Sequence, residues 1–288
     1  MKKIGIILMA MIFMITSAGC AVVVFDTSYE KGIDRGNMVT KDYPCGDFDK
    51  LIVSVQAYLE YTAEKSDKVR IVLPEGFIEY VTVENNDGTL MIRYNSPLVS
   101  KDFLPKDFIP KDFIPKDVSG IPIENNDSKF MDAPVVVNNL LGIPRIYVSA
   151  PTLKKLELTN NVICDKFDKI VGDSFDLKVS GSKASGSFSV EVDKLNIYMD
   201  SEKDIFLSGT ANTAALETSL YGNIRGFDLR VKEASAISNY PGNIEISCSD
   251  KLNVNTTDVG CIYYKGNPVV SEISPTKAGK SNVEKVSD

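Results

Sequence analysis

The chain is 288 residues long and contains neither histidine nor tryptophan. The absence of histidine excludes the Ser-His-Asp triad, the Cys-His pair and the commonest protein ligand of zinc and iron, so any chemistry would rest on carboxylates, Lys, Arg or Tyr. A formal net charge of −7 argues against a nucleic-acid partner, because binding to phosphates needs clustered Lys and Arg.

The first residues have the layout of a secretory signal. Lys2 and Lys3 precede an apolar run over residues 4–15, which is too short to span a bilayer because a membrane helix needs about 20 apolar residues. The segment Ser17-Ala18-Gly19-Cys20 resembles the lipobox of bacterial lipoproteins, whose cysteine is acylated and becomes the first mature residue. Its serine stands where the lipobox usually has an aliphatic residue. The alternative is ordinary signal-peptidase cleavage near Ala18, which would release a soluble secreted protein.

We therefore predict that residues 1–19 are a signal peptide, that Cys20 is lipidated, and that residues 20–35 are a tether. Without Lys2 and Lys3 the chain has 30 basic and 39 acidic residues, so its charge becomes −9 and membrane attachment must come from the lipid. Cys20 is followed by Ala rather than Asp, which favours the outer membrane under the general sorting rule of lipoproteins. The sequence therefore predicts an exported protein of the cell envelope, attached to the outer membrane as a lipoprotein. It does not decide whether the protein is exposed on the cell surface.

Four further cysteines are widely spaced, without a CxxC pair, which disfavours a zinc site. Export permits disulfides, but four cysteines allow three pairings and their spacing selects none. Isolated buried thiols are the favoured interpretation for most of the set, which consists of Cys45, Cys164, Cys248 and Cys261.

Residues 36–98 are predicted to form an N-terminal β domain. The segments LIVSVQAYLEYT, KVRIVL, YVTVEN and TLMIRY alternate apolar and polar residues, and turn signals separate them. Asn86-Asp87-Gly88 predicts a two-residue hairpin turn, since Asp and Gly tolerate the positive φ that such a turn requires.

Residues 99–142 are predicted to be an inserted loop, and they contain KDFLPKDFIPKDFIPKD at 101–117. A five-residue period matches neither a helix nor a strand, and each proline removes a backbone donor. The favoured interpretation is a tandem duplication in a surface loop. The alternative is a projecting ligand arm, because the Phe-Ile and Phe-Leu pairs are unusually apolar for a free linker.

Residues 143–285 show a rhythm of about 17 to 20 residues, which predicts a β-solenoid whose stacked coils bury a shared apolar stripe. The Gly, Asn or Asp before each inward aliphatic side chain is expected to turn a corner with positive φ. An up-and-down sandwich is the alternative, and helix should be scarce. The aligned corners are Gly186-Ser187-Phe188, Lys203-Asp204-Ile205, Gly222-Asn223-Ile224, Gly242-Asn243-Ile244 and Gly260-Cys261-Ile262.

Several segments carry a family resemblance: GNMVTKDYPCGDFDKLIVSVQAYLEYT, GTLMIRY, IYVSAPTLKKLELTNN, the repeated corners, and the closing Gly260-Cys261-Ile262-Tyr263-Tyr264-Lys265-Gly266-Asn267-Pro268. Together they resemble the putative auto-transporter adhesin, head GIN domain family. The resemblance implies an exported or lipid-anchored all-β protein with a solenoid body, no established activity and no catalytic residues to carry over. Lys203-Asp204 and Cys261 replace the glycine and serine usual at the family's corners.

Candidate catalytic chemistry is sparse. Parallel β-helices also host polysaccharide lyases and glycosidases, which need paired carboxylates or a basic residue beside acidic ones. The nearest cluster is Asp228 with Arg225 and Arg230, in which Asp228 and Arg230 share a strand face, a pattern more typical of a salt-bridged surface. Four nearby aspartates raise the question of a calcium site, but their spacing lacks the ligand order of a calcium-binding loop. Turn formation is therefore the favoured interpretation for Asp165, Asp168, Asp173 and Asp176.

The resulting fold prediction is an all-β chain, in which an N-terminal strand layer continues into a parallel β-helix-like solenoid of about five or six coils. We expect a non-catalytic envelope lipoprotein with adhesin-like binding of a glycan or protein ligand, without a cofactor or metal. The alternative is a carbohydrate-active β-helix enzyme. No ligand-binding residue is assigned. Exposed Tyr rings suit contact surfaces, but stacking as ladders inside or along the solenoid is the favoured interpretation; the candidates are Tyr221, Tyr240, Tyr263 and Tyr264.

Overall fold

The computed structural model describes residues 37–94, 143–239, 241–256, 259–274 and 282–287. The predicted signal peptide, the lipidation site Cys20, the tether, the pentapeptide repeat and Tyr240 lie outside the described residues, so these interpretations stay predictions.

The described chain is built almost entirely of β-strands, as the alternating sequence pattern predicts. Within it, the helical structure is a 3₁₀ segment at Glu75–Tyr80, and no helix there is long and apolar enough to cross a membrane. The strands are β1 (Met38–Pro44), β2 (Lys50–Ser54), β3 (Tyr58–Thr62), β4 (Lys68–Pro74), β5 (Val81–Asn86), β6 (Thr89–Tyr94), β7 (Arg145–Ser149), β8 (Lys155–Leu158), β9 (Ile163–Phe167), β10 (Ile170–Ser180), β11 (Ser185–Asp200), β12 (Ile205–Thr218), β13 (Ile224–Ser238), β14 (Ile244–Thr256), β15 (Ile262–Lys265), β16 (Val269–Ser274) and β17 (Val283–Lys285).

The strands form a β-solenoid of about six turns, which confirms the predicted fold class. The long strands β10 to β14 pair in parallel with their neighbours. In β11, β12 and β13 two adjacent residues point outward near the middle, for example Asn212 and Thr213 between buried Ala211 and Ala214, and the strands bend there. In β10 and β14 the corresponding runs are four and three residues long, at 171–174 and 249–251. One turn therefore consists of the second half of one strand, a corner, and the first half of the next.

Buried aliphatic side chains stack in register along the solenoid. One ladder contains Ile205, Ile224, Ile244 and Ile262, as the aligned corners predict. A second ladder runs through Leu51, Leu156, Leu177, Ile197, Leu216, Ala236 and Val254. Because Leu51 belongs to β2, strands on both sides of residues 99–142 pair into one sheet. The predicted domain boundaries themselves stay a prediction.

One predicted corner is out of register. The residue opposite Ile205 is Gly186, whereas Phe188 lies opposite Leu207. A Cβ atom at Gly186 would lie 2.9 Å from Cζ of Phe188 and 2.7 Å from Cβ of Cys164. The Phe188 ring thus occupies the space in front of Gly186, and the alignment of Phe188 with the isoleucine ladder was wrong by two residues.

The N-terminal end of the sheet is closed by antiparallel strands. β6 and β7 flank β2 and β3 in parallel, β4 pairs antiparallel with β1 and β7, and β5 pairs antiparallel with β6. The β5–β6 hairpin turns through Asp87 and Gly88 at φ values of 50° and 75°, which confirms the predicted turn. In the sequence 50 residues separate β6 from β7, whereas three residues separate β2 from β3 and four separate β8 from β9.

Glycine occurs at the corners for a reason other than the predicted one. Positive φ is found at Gly209 and Gly266, not at Gly222 or Gly242. At Gly222 a Cβ atom would lie 2.3 Å from the carbonyl oxygen of Lys203, and at Gly242 it would lie 2.4 Å from that of Gly222. Stacked corners therefore require glycine for close backbone approach. The prediction of positive φ was wrong for these two glycines and also for Asp204, Asn223 and Asn243, which directly precede the inward isoleucines.

Polar side chains connect successive corners. Asn223 Nδ2 and its backbone N–H both donate to Asp204 Oδ1, at 2.8 and 2.9 Å. The backbone N–H of Asn243 donates to Asn223 Oδ1 at 2.9 Å, and that of Cys261 donates to Asn243 Oδ1 at 3.0 Å. This asparagine ladder satisfies backbone donors that the parallel sheet leaves unpaired at its corners.

Candidate functional site

An open groove of about 1130 Å³ crosses the solenoid from β10 to β15, along the bends of the long strands. Its floor carries one outward residue from each strand, and all six are in register: Val171, Glu191, Thr210, Arg230, Ser247 and Lys265. Five strand spacings make this row roughly 24 Å long. The groove is thus long and narrow, and five of its six floor side chains are polar or charged.

A second set of groove-lining side chains stands at the bends themselves. It consists of Asp193, Asn212, Lys232 and Ser249, all of them exposed. Asn212 Nδ2 donates to Asp193 Oδ1 at 2.6 Å, which fixes the amide while its carbonyl oxygen stays available to accept. The groove therefore presents hydroxyl, amide, carboxylate and cationic groups within a small area.

A β-bulge in β13 shapes the middle of the groove. Gly226 lies opposite Ile246 and Arg230 lies opposite Ser247, so three residues of β13, from Phe227 to Leu229, have no partner on β14. Leu229 is buried in the core, whereas Asp228 is exposed in the groove and Phe227 is half-buried beside it. Bulges of this kind redirect side chains and are frequent next to functional sites.

Two contacts hold the bulge in place. Ser247 Oγ donates to the carbonyl oxygen of Phe227 at 2.7 Å. Lys265 Nζ lies 5.1 Å from the centroid of the Phe227 ring, in a cation–π contact. The wall behind Lys265 is a turn at Gly266, where φ is +92° and a Cβ atom would lie 2.2 Å from the carbonyl oxygen of Cys248. Only glycine allows the chain to approach β14 so closely there.

The two ends of the groove differ in charge. Glu191 and Asp193 stand at the β11 end, where the hydrogen bond from Lys169 Nζ at 2.7 Å, and then its charge, lower the pKa of Glu191. Arg230, Lys232 and Lys265 stand at the β13–β15 end, together with one carboxylate, Asp228. No ion pair within 4.0 Å links these four groups to any described carboxylate or amine.

The family model described as "Putative auto-transporter adhesin, head GIN domain" matches residues 47–268, a range that contains the whole groove. The chain belongs to this family. No match was found among the curated proteins.

Solved structures resemble this head GIN domain protein over most of its length. A putative adhesin from Bacteroides fragilis has a TM-score of 0.60 at 19% sequence identity, covering 87% of this chain and 94% of that one. A putative adhesin from Parabacteroides distasonis has a TM-score of 0.57 at 20% identity, covering 87% and 98%. A putative lipid binding protein from the same species has a TM-score of 0.58 at 20% identity, covering 87% and 97%. At these identities the likeness shows the fold alone.

Of the candidate catalytic cluster, the structure brings two members together and separates the third. Asp228 and Arg230 both face the groove from the bulge of β13. Arg225 instead lies near the start of β13, where its Nε contacts Asp204 Oδ2 at 2.9 Å and its Nη1 pairs with Glu245 Oε1. The hydrogen bond to Asp204 is the main reason why the pKa of Arg225 is raised. Arg225 thus lies apart from Asp228 and Arg230, in a corner segment, and links three corners of the head GIN domain.

Three of the four aspartates considered for calcium each contact a different partner. Asp165 pairs with Arg145 at 3.1 Å, Asp168 accepts from the backbone of Ala63 at 3.0 Å, and Asp176 accepts from Asn196 at 2.5 Å. No cluster of three metal-binding side chains was found within the described ranges. The predicted turn role was wrong for Asp165, which lies in β9, and for Asp173 and Asp176, which lie in β10, whereas Asp168 lies between the two strands.

The candidate tyrosines do not share a surface. Tyr221 is exposed in the turn between β12 and β13, and Tyr264 packs against the core. Tyr263 lies on β15, opposite Glu245, and its hydrogen bond with Cys261 raises its pKa. None of these three lines the groove.

The cysteines are free thiols. Cys45, Cys164 and Cys248 are buried and Cys261 is half-buried. Burial raises the pKa of the first three thiols. Isolated buried thiols, the favoured sequence interpretation, therefore describe three of the four.

Sequence reasoning did not find Phe227 or Lys265, nor the row of floor residues. One signal was available: the turn from Ile224 to Ile244 is 20 residues long, against 19 for the turn before it and 18 for the turn after it. An extra residue relative to the two adjacent turns can be accommodated as a bulge, so this difference points to β13. Turn length alone does not single out the site, because the turn from Leu156 to Leu177 has 21 residues.

Proposed function

We propose that this protein is a non-catalytic binding protein of the bacterial cell envelope and that its groove binds a glycan. The observation that carries the proposal is the row of polar floor residues that runs in register across six strands and is flanked by the bend residues. An extended chain of hydroxylated units fits such a row, since each strand offers a further hydrogen-bonding group along the same line.

A protein ligand fits the groove less well. Tight protein interfaces concentrate their energy in buried aromatic and aliphatic anchors, and the groove offers one half-buried ring, Phe227, and one exposed aliphatic side chain, Val171. The other large exposed apolar residues of the described chain stand elsewhere, for example Phe206, Tyr221 and Val259. The exposed side chains of the groove therefore offer hydrogen bonds and charges, with few large apolar anchors.

A lipid tail also fits poorly, although one solved structure of similar fold is titled a putative lipid binding protein. An acyl chain needs a continuous apolar lining. Here Glu191, Thr210 and Asn212 interrupt any apolar path between Val171 and Phe227. We therefore propose a sugar rather than an acyl chain as the occupant of the groove.

The proposed location is the outer membrane, with Cys20 carrying the lipid and residues 20–35 acting as the tether. The family and the sequence of the first 20 residues support this location. Each buried methylene of the lipid would contribute about 0.8 kcal/mol, which would hold an acidic protein on an anionic membrane.

A carbohydrate-active enzyme is the second candidate, favoured by the shared position of Asp228 and Arg230 at the bulge. Glycosidases use two carboxylates that flank one bond. At the β13–β15 end the described groove lining contains one carboxylate, Asp228, and this favours binding over hydrolysis.

The test is a glycan array followed by calorimetric titration with the purified protein. Thr210→Trp would fill the middle of the groove, and Ala215→Trp, on the other exposed face of β12, is its matched control. We expect glycan binding that Thr210→Trp abolishes and Ala215→Trp preserves, with both variants showing the wild-type circular dichroism spectrum. Binding abolished by Ala215→Trp alone, or no glycan binding at all, would contradict the proposal.

The enzyme is tested separately. The polysaccharide that binds is incubated with the wild type and with Asp228→Asn, with and without calcium, and new reducing ends are measured. Turnover that Asp228→Asn abolishes would establish the enzyme and overturn the non-catalytic proposal.

A further inference from the structure

We propose that the groove selects acidic glycans and holds a carboxylate or sulfate of the sugar between Arg230 and Lys265. This inference rests on the proposed function of the groove and names the class of glycan that it takes.

Arg230 and Lys265 flank one position of the floor row. Arg230 lies opposite Ser247, and Ser247 lies opposite Lys265, so the two cations stand on strands separated by one strand. Two strand spacings put their backbones roughly 10 Å apart, a separation that two long side chains can close onto a single anionic group. The Ser247 hydroxyl between them already donates to the Phe227 carbonyl, so the cations are the donors available to an anion.

Arg230 differs from the other described arginines in having no carboxylate partner. Four arginines of the described chain form ion pairs within 4.0 Å: Arg70 with Asp42, Arg93 with Glu84, Arg145 with Glu60 and Asp165, and Arg225 with Asp204 and Glu245. Arg230 is exposed in the groove, and no described carboxylate lies within that distance of it. In a chain with 39 acidic and 32 basic residues, a guanidinium kept free of carboxylates is available for an external anion.

The surroundings favour an anion at this end of the groove and not at the other. Lys232 adds a third cation, and Asp228 is the one carboxylate among the described lining residues of β13–β15. At the opposite end, Glu191 and Asp193 would repel an anionic group. The charge gradient therefore orients the sugar chain, with its acidic unit over β13–β15 and its uncharged hydroxyls over Thr210 and Asn212.

The Phe227 ring positions Lys265. Its contact with Lys265 Nζ at 5.1 Å limits the freedom of a long side chain without neutralising its charge. The bulge thus exposes Arg230 and also places the Phe227 ring against Lys265. Both effects prepare this part of the groove to bind an anionic group of the sugar.

The experiment compares four probes by calorimetric titration: oligogalacturonate, a sulfated chondroitin oligosaccharide, neutral dextran oligomers, and vesicles containing anionic phospholipid. We expect one or both acidic oligosaccharides to bind more tightly than dextran, with affinity that falls as salt is added. Arg230→Gln and Lys265→Gln should each weaken that binding about tenfold, since a charge-assisted hydrogen bond is lost. Asp228→Asn should strengthen it.

The controls separate charge recognition from folding. Lys194→Gln removes an exposed lysine of β11 that does not line the groove, and it should bind like the wild type. Lys265→Arg keeps the cation and should restore most of the binding lost in Lys265→Gln. Failure of this rescue would show that a cation at this position does not determine the binding, and would overturn the role of Lys265.

The outcomes distinguish the two proposals. If dextran binds as tightly as the acidic probes, and if Arg230→Gln does not change this binding, the acidic selectivity is overturned. The groove would then still be a glycan site. No binding of any oligosaccharide would overturn the proposed function itself. Binding of anionic vesicles alone, lost in Arg230→Gln, would assign the anion to a phospholipid headgroup and contradict the glycan.

Discussion

The asparagine ladder at the solenoid corners should make a measurable contribution to stability, and Asn223→Ala tests it. The side chain of Asn223 makes two hydrogen bonds between corners: Nδ2 donates to Asp204 at 2.8 Å, and Oδ1 accepts from the backbone N–H of Asn243 at 2.9 Å. Each is worth about 1 kcal/mol, so the substitution should lower the free energy of unfolding by about 2 kcal/mol. For a chain of this length, that corresponds to a melting temperature lower by roughly 4–8 °C.

The assay is thermal unfolding followed by circular dichroism, with Asn239→Ala as the matched control. Asn239 is exposed, and its side chain donates a hydrogen bond from Nδ2 to Glu217 Oε1 at 2.9 Å. Surface contacts of this kind contribute at most about 0.5 kcal/mol, so the control should melt close to the wild type. Equal melting temperatures for Asn223→Ala and Asn239→Ala would refute the structural role of the ladder.

Further predictions concern pH, backbone packing, the insertion and the anchor. Burial alone would raise the pKa of Asp204 from 3.8, but hydrogen bonds from Asn223 and Arg225 outweigh it and lower the folded-state pKa. The stability that these bonds contribute is therefore complete above pH 3.8 and lost as the pH falls through the lower folded value. Asp204→Asn should show a smaller acid-induced fall in melting temperature than the wild type, and an identical fall would contradict this. Gly242→Ala should cost about 3 kcal/mol, since its Cβ would lie 2.4 Å from two backbone oxygens, whereas Gly172→Ala, with open space around it, should be nearly neutral in the same melts. Deleting residues 101–116 should leave the melting temperature unchanged, and a loss of protease-resistant protein would show that the insertion supports the fold. Cys20→Ser should abolish labelling by a fatty-acid analogue in a Gram-negative host and release the protein from the membrane fraction; equal labelling would exclude Cys20 as the acylated residue.

The solenoid could be predicted because its coils repeat a local pattern. Ile205, Ile224, Ile244 and Ile262 recur at nearly constant spacing, each behind a corner, and parallel stacking places them in one ladder. Phe188 broke the pattern, since Gly186 has no side chain and a ring two residues further along fills its place. The sequence contains both residues, but it does not show that the Phe188 ring packs into the space in front of Gly186.

The corner glycines illustrate a second limit. Glycine has two physical uses, positive φ and close approach, and a sequence does not distinguish them. Gly222 and Gly242 serve close approach between stacked carbonyl groups, while Gly209 and Gly266 have the positive φ. The distinction depends on which backbone lies beneath each glycine, and this follows from the register of the coils.

The groove could be predicted only in part. Asp228 and Arg230 are two residues apart in sequence, so the sequence predicts that they share one face of a strand. Lys265 lies 35 residues beyond Arg230 and reaches the same site through two strand pairings. The bulge that exposes Phe227 arises from a mismatch between β13 and β14, and such a mismatch is defined only when both strands are paired.

Hydrogen–deuterium exchange of the protein with its tightest-binding acidic oligosaccharide tests the central claim most directly. If the groove is the binding site, amide exchange should slow over the bulge of β13 and the turn at residues 265–267, and this protection should disappear in Arg230→Gln. Protection confined to the opposite exposed face, around Asp176 and Tyr198, or unchanged exchange in the presence of saturating sugar, would contradict the groove as the site.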